Sequence, residues 1–171
     1  MCKQPQTLII MGAAGAGKST VGRLLAERLG WCFIEGDDFH SPENIAKMSA
    51  GVPLTDSDRK PWLDALNTVL REQSTTQNGL VLACSALKLT YRKRLAAGVK
   101  SALFVYLKAD PATLTERLTG RQDHYMPAGL LMSQLEDLEE PDDAIMIDAT
   151  LPAEQIVRII VAEIQDRLGQ A

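Results

Sequence analysis

A chain of 171 residues, 46% apolar and 23% charged, is long enough to bury a proper core and is composed like a globular domain, not a disordered or fibrous chain. A net charge of −4 and a pI near 5.2 provide no basic field for nucleic acid or an anionic membrane. No stretch approaches the ~18 apolar residues of a membrane span. Three scattered cysteines, Cys2, Cys32 and Cys84, match neither a disulfide framework nor a metal-ligand spacing.

The N-terminal MCKQPQ lacks the apolar core of a secretory leader. The cysteines read as reduced thiols, two of them buried, and a cytoplasmic protein is expected. In chain order, TLIIM (7–11) is a continuous apolar run that predicts a buried strand. A helix is predicted from Lys18 to Leu29, with Val21, Leu24, Leu25 and Leu29 on one face and Gly30 as its stop. CFIE is a second strand, and Ser41-Pro42 caps and opens another helix. A further helix is expected to begin between Ser57 and Pro61, carrying Trp62, Leu63, Leu66, Val69 and Leu70. LVLAC (80–84) and ALFVYL (102–107) are two more strands. A helix runs from Pro111 to about Arg121. A short strand at 144–147 precedes a last helix, Pro152 to Leu168, with Ile156, Ile159, Ile160, Ile164 and Leu168 inward.

Five strands alternating with helices predict an α/β fold, a parallel sheet covered on both faces, in one domain over 1–171. The polar segment 121–128, RQDHYMPA, breaks this regularity and reads as a mobile lid, with a plain surface connection as the alternative.

GAAGAGKS, Gly12 to Ser19, fits the phosphate-loop pattern and lies between a strand and a helix, where the mechanism needs it. Its glycines let the backbone approach a phosphate, and successive N–H groups at a helix N-terminus face the anion. Lys18 is positioned to reach the β- and γ-phosphates, and the Ser19 hydroxyl to hold Mg²⁺. Gly12, Ala13, Ala14, Gly15, Ala16, Gly17, Lys18, Ser19 and Thr20 are therefore expected at a bound nucleotide, ATP.

LVLAC is followed by Ser85 and ALFVYL by Lys108, so neither strand ends in the aspartate of a second nucleotide motif. The second strand supplies acids instead: Asp37 and Asp38 follow CFIE at the end where open α/β sheets bind ligands. Either could accept a hydroxyl proton or hold the water shell of Mg²⁺, and helix capping is the alternative for both.

GDDFHSPENIAKMSAGVPLTDSDRKPWL, ACSALKLTYRKRL, RQDHYMP and SQLEDLEEP together resemble the gluconokinases, over about residues 7–165. The resemblance implies a P-loop kinase fold like that of shikimate and nucleoside monophosphate kinases. It also implies MgATP-dependent phosphorylation of D-gluconate at its 6-hydroxyl, and a homodimer. Gluconate needs a cation for its carboxylate and polar groups for its hydroxyls. Arg59 can grip a carboxylate with two parallel hydrogen bonds. An ion pair with Asp56 or Asp58 is its alternative use. Lys88 and Arg92, four apart, share a helical face and are further candidates, unless they form a solvated basic stripe with Lys93 and Arg94.

His40 suits a sugar hydroxyl, against local capping or packing, and Asp37 is the expected base at the 6-hydroxyl. By the same likeness Arg117 stacks on adenine beside the 148–152 loop, Arg121 meets the phosphates and His124 closes over the substrate. The alternative for the two arginines is pairing with Glu116 and Asp123. Cys84 is expected to be a buried small residue. The rival readings are a kinase of another small hydroxy acid such as shikimate, a nucleoside monophosphate kinase, and an ATP-binding switch without a small substrate.

Overall fold

Apolar runs with no polar interruption form the sheet. The computed structural model describes residues 7–76, 78–120 and 128–169. In chain order the elements are β1 (Thr7–Met11), α1 (Lys18–Leu29), β2 (Cys32–Glu35), a 3₁₀ turn (Gly36–Phe39), α2 (Pro42–Ser49), α3 (Asp56–Gln73) and β3 (Leu80–Ala83). There follow α4 (Leu89–Ala96), β4 (Ala102–Lys108), α5 (Pro111–Thr119), α6 (Ala128–Asp137), β5 (Ile145–Asp148) and α7 (Ala153–Gly169). The strands form one parallel sheet in the order β2-β3-β1-β4-β5, with Ile9 paired to Leu82 on one side and Phe104 on the other.

Side chains alternate across the sheet and build two cores. Leu8, Ile10, Val81, Val105 and Leu107 pack with Val21 and Leu25 of α1 and Ile156, Ile160 and Ile164 of α7. Ile9, Met11, Leu82, Phe104 and Tyr106 pack with Trp62, Leu63, Leu66 and Leu70 of α3 and Tyr91 and Leu95 of α4. This is the three-layer α/β architecture expected from the sequence. Among the described residues no helix is long and apolar enough to cross a membrane.

Three details differ from expectation. First, α3 begins at Asp56, a turn before its proline. Thr55 Oγ1 accepts from Asp58 N–H while the Asp58 carboxylate accepts from Thr55 N–H, and this reciprocal capping box outweighs the interruption at Pro61. Second, Cys32 is exposed, because β2 is an edge strand with only partial cover; Cys84 is buried and Cys2 lies outside the described residues. Third, Ile159 is only half-buried in α7, and Val157 takes an inward place instead.

Candidate active site

The carboxyl ends of β1, β2 and β3 open into a cavity of about 500 Å³. Its floor is the phosphate loop between β1 and α1. Gly12 and Gly15 have φ of 144° and 84°, and a Cβ on either would stand 2.7 and 2.9 Å from the carbonyls of Leu107 and Leu114. Only glycine allows this loop to close. Lys18 Nζ donates to Ala13 O at 3.0 Å, and Lys18 and Ser19 both line the cavity. A loop of this shape, with a lysine and a hydroxyl at its helical end, fits a nucleotide phosphate.

The acids of the 3₁₀ turn form the facing wall. Asp37, Asp38 and Glu35 line the same cavity as Ser19. Gly36 sits so tightly behind the turn that a Cβ would lie 2.5 Å from Ala83 O. Trp62 Nε1 donates to Gly36 O at 2.8 Å, fixing the turn from α3. Among the described residues no group of three or more His, Cys, Asp or Glu side chains forms a metal cage. A Mg²⁺ that keeps most of its waters and takes phosphate oxygens needs none, so Ser19 with Asp37 or Asp38 fits that ion.

His40 also lines the cavity, with its ring stacked on Trp62. Its side chain is 5% exposed, its Nδ1 is buried without a hydrogen-bond partner among the described residues, and Nε2 stands 4.0 Å from Asp37. Burial lowers its pKa below the ordinary 6.5; the Asp37 charge opposes this and Arg59 adds to it. The imidazole is neutral near pH 7 and keeps both a donor and an acceptor. Ser41, not His40 or the acids, caps α2, accepting from Asn44 N–H at 3.2 Å.

Arg59 lines the cavity from the first turns of α3. Its Nη1 donates to Tyr91 Oη at 2.9 Å and Asp137 Oδ2 at 2.7 Å, so the ion pair is with Asp137 and neither Asp56 nor Asp58. Both bonds use Nη1; among the described residues the Nε–Nη2 edge makes no hydrogen bond. That edge is one of the two faces with which a guanidinium grips a carboxylate. Burial works against the Arg59 charge, but the bonds to Asp137 and Tyr91 outweigh it, and its pKa is raised.

Lys88 and Arg92 do not line the cavity, and they do not share a helical face as expected. Lys88 is the N-cap of α4, in extended backbone (φ −89°, ψ 148°), so helical spacing does not govern its side chain. Its Nζ binds Asp56 Oδ1 at 2.8 Å and Asp137 Oδ1 at 3.3 Å, and the Tyr91 hydroxyl also donates to Asp56. Arg92 is 5% exposed, and its Nη1 donates to Ala86 O at 3.1 Å and Leu87 O at 2.8 Å. Ala86 has φ 46°, a strained conformation for a residue with a Cβ. Arg92 thus holds the turn after β3, next to Ser85 in the cavity wall. In the same turn Cys84 is fully buried, its thiol pushed up to about 12 by desolvation, so it stays protonated.

Arg117 borders a second cavity of about 250 Å³, with Gly17, Thr20, Ala149 and Leu151. Its Nη2 donates to Ala149 O at 2.7 Å, tying α5 to the loop after β5. Arg121, His124 and all of the expected lid at 121–128 but its last residue, which opens α6, lie outside the described residues. Trp62 and Gly36 were not expected as site residues: Trp62 read as a helix core residue, and Gly36 was given no role of its own.

A family model described as shikimate kinase matches residues 14–165. The gluconokinase of Gluconobacter oxydans is 49% identical over 140 residues, covering 82% of this chain and 79% of that protein. The thermoresistant gluconokinase of Escherichia coli is 39% identical, covering 87% of each. A solved gluconokinase from Sinorhizobium meliloti 1021 superposes with a TM-score of 0.87 at 41% identity, covering 98% of this chain and 96% of that one. The chain is a kinase and belongs to the gluconokinases, within the shikimate kinase family of small P-loop enzymes.

Proposed function

We propose that this kinase transfers the γ-phosphoryl group of ATP to the 6-hydroxyl of D-gluconate, giving 6-phosphogluconate and ADP. The observation that carries the reading is that Lys18, Ser19, Asp37, His40 and Arg59 line one cavity, so a nucleotide cradle and an acid-binding cation share one volume. Relatives named gluconokinase at 39–49% identity support the substrate.

In this mechanism Arg59 holds the gluconate carboxylate by its Nε–Nη2 edge, and neutral His40 bonds a chain hydroxyl. Asp37 orients the 6-hydroxyl in line with the γ-phosphate and takes its proton as the bond forms. Phosphoryl transfer has a loose transition state, so alignment counts for more than basicity. Lys18 and the loop N–H groups stabilise charge on the phosphate oxygens. Ser19, and Asp37 through water, would hold Mg²⁺, which would supply charge neutralisation at the transferred phosphate. Arg117 packs on adenine near the Ala149 loop, while Arg121 and His124 act on the phosphates and substrate from a closing lid. Lys88 and Arg92 serve indirectly, the first through Asp56 and Asp137, the second through the Ala86 turn. The working form is a cytoplasmic homodimer.

A coupled assay of ADP release tests the reading, with gluconate, glucose, shikimate, a nucleoside monophosphate or no acceptor. Gluconate should raise the rate far above all the others. Equal rates with glucose would remove the carboxylate from recognition, and an acceptor-independent rate would make the protein an ATPase or switch.

A further inference from the structure

In the segment SQLEDLEEP, Asp137 holds Arg59 and Lys88, and a second side chain reaches the phosphate loop. Gln134 lines the cavity, and its Oε1 accepts from the Ala14 N–H of the phosphate loop at 2.7 Å. Three residues on, Asp137 places Oδ2 2.7 Å from Arg59 Nη1 and Oδ1 3.3 Å from Lys88 Nζ. Both residues lie in α6. Residues three apart share a helix face, about 4.5 Å apart along the axis. One face of one helix therefore bonds the phosphate loop at one point and the acid-binding cation at another.

The two ends differ in charge. Arg59 and Lys88 face Asp56 and Asp137, two cations against two carboxylates, so the cluster is formally neutral. An arriving carboxylate meets no net attraction while Asp137 keeps its hold. At the other end, Ala14 belongs to the phosphate loop and lines the cavity, so its N–H stands beside the place of a nucleotide phosphate. A phosphate oxygen is a charged acceptor, roughly twice as strong as the neutral amide oxygen of Gln134.

We propose that Gln134 and Asp137 make α6 a latch between the two subsites: nucleotide phosphate takes the Ala14 N–H from Gln134, α6 is released, and Asp137 yields Arg59 to the substrate carboxylate. The cluster then carries one net positive charge at the moment an acid is wanted. Nucleotide binding thereby strengthens binding of the acid, and by linkage the acid strengthens binding of nucleotide by the same factor. This inference rests on Arg59 as the carboxylate-binding residue of the proposed function.

Calorimetric titration of the full chain with gluconate, with and without a non-hydrolysable ATP analogue and Mg²⁺, tests it. In the wild type the analogue should tighten gluconate by at least about fivefold, within the usual range of such couplings. Asp137→Asn, close to isosteric, should bind gluconate alone more tightly than wild type and bring the ratio within about twofold. Gln134→Leu should lower the ratio likewise while still melting cooperatively; if it fails to fold, Asp137→Asn carries the test. A purely structural Asp137 predicts the opposite, weaker gluconate binding with the ratio unchanged, and that result overturns the latch. So does a wild-type ratio of one in a protein that turns gluconate over. A wild type that neither binds nor phosphorylates gluconate overturns the functional reading, and the latch with it.

Discussion

The imidazole of His40 lies flat against the indole of Trp62, with ring centres 4.3 Å apart and planes 16° from parallel. Trp62 in turn donates to Gly36 O, so one aromatic residue fixes both the acidic turn and the histidine beside it. Burial keeps His40 below its ordinary 6.5. At His40 the folded state therefore binds fewer protons than the unfolded state in this range, and the His40 contribution lowers stability as pH drops below the ordinary 6.5. In metal-free buffer, denaturant midpoints should fall from pH 7 to 5 in the wild type and fall less in His40→Asn. Parallel slopes in the two proteins would show that His40 titrates as it does in the unfolded chain.

Gly36 is held by sterics. Its Cβ would sit 2.5 Å from the backbone carbonyl of Ala83, and neither group is at the end of a flexible side chain. Gly36→Ala should destabilise by roughly 1–3 kcal/mol, as overpacking does. It should also lower kcat with gluconate, because the turn that carries Asp37 and Asp38 has to move. Unaltered melting and turnover would mean that the strand end yields without cost.

Asp37 and Asp38 both line the cavity, and their separate roles are open to direct test. Asp37→Asn keeps size and reach but loses the base, so kcat should fall by about two to four orders of magnitude. ATP affinity by titration should change much less. A silent Asp37→Asn beside an inactive Asp38→Asn would transfer the role to Asp38.

Thr55 opens α3, the helix that bears Arg59 and Trp62. Its hydroxyl accepts from Asp58 N–H, and Asp58 returns the bond to Thr55 N–H. Thr55→Ala should cost about 1 kcal/mol of stability by denaturant titration. Asp58, lowered to about 2 by Lys47 first and then by Thr55, should stay charged down to strongly acid pH. Its contribution is present above the ordinary 3.8 and is lost only as pH falls toward 2.

The strands were legible because a parallel sheet covered on both faces leaves uninterrupted apolar runs, and the phosphate loop because its glycines and lysine have a fixed spacing. The start of α3 falls one residue before the expected window of Ser57 to Pro61, because the Thr55–Asp58 box sets the boundary and Pro61 lies inside. Spacing failed for Lys88 and Arg92, since four residues define a shared face only when both are helical. The partner of Arg59 could not be read at all: Asp137 is 78 positions away, and no local pattern marks it. Short-range chemistry is written in the sequence, but contacts between α3, α4 and α6 exist only once the sheet has brought them together.

The proposed reaction is a single transfer, from ATP to the terminal hydroxyl of gluconate. Phosphorus and carbon NMR of a completed reaction measures it directly. One ADP should form for each gluconate consumed, with a phosphate ester on carbon 6 alone. Phosphate on another carbon, or ADP appearing with inorganic phosphate while gluconate stays intact, would contradict it.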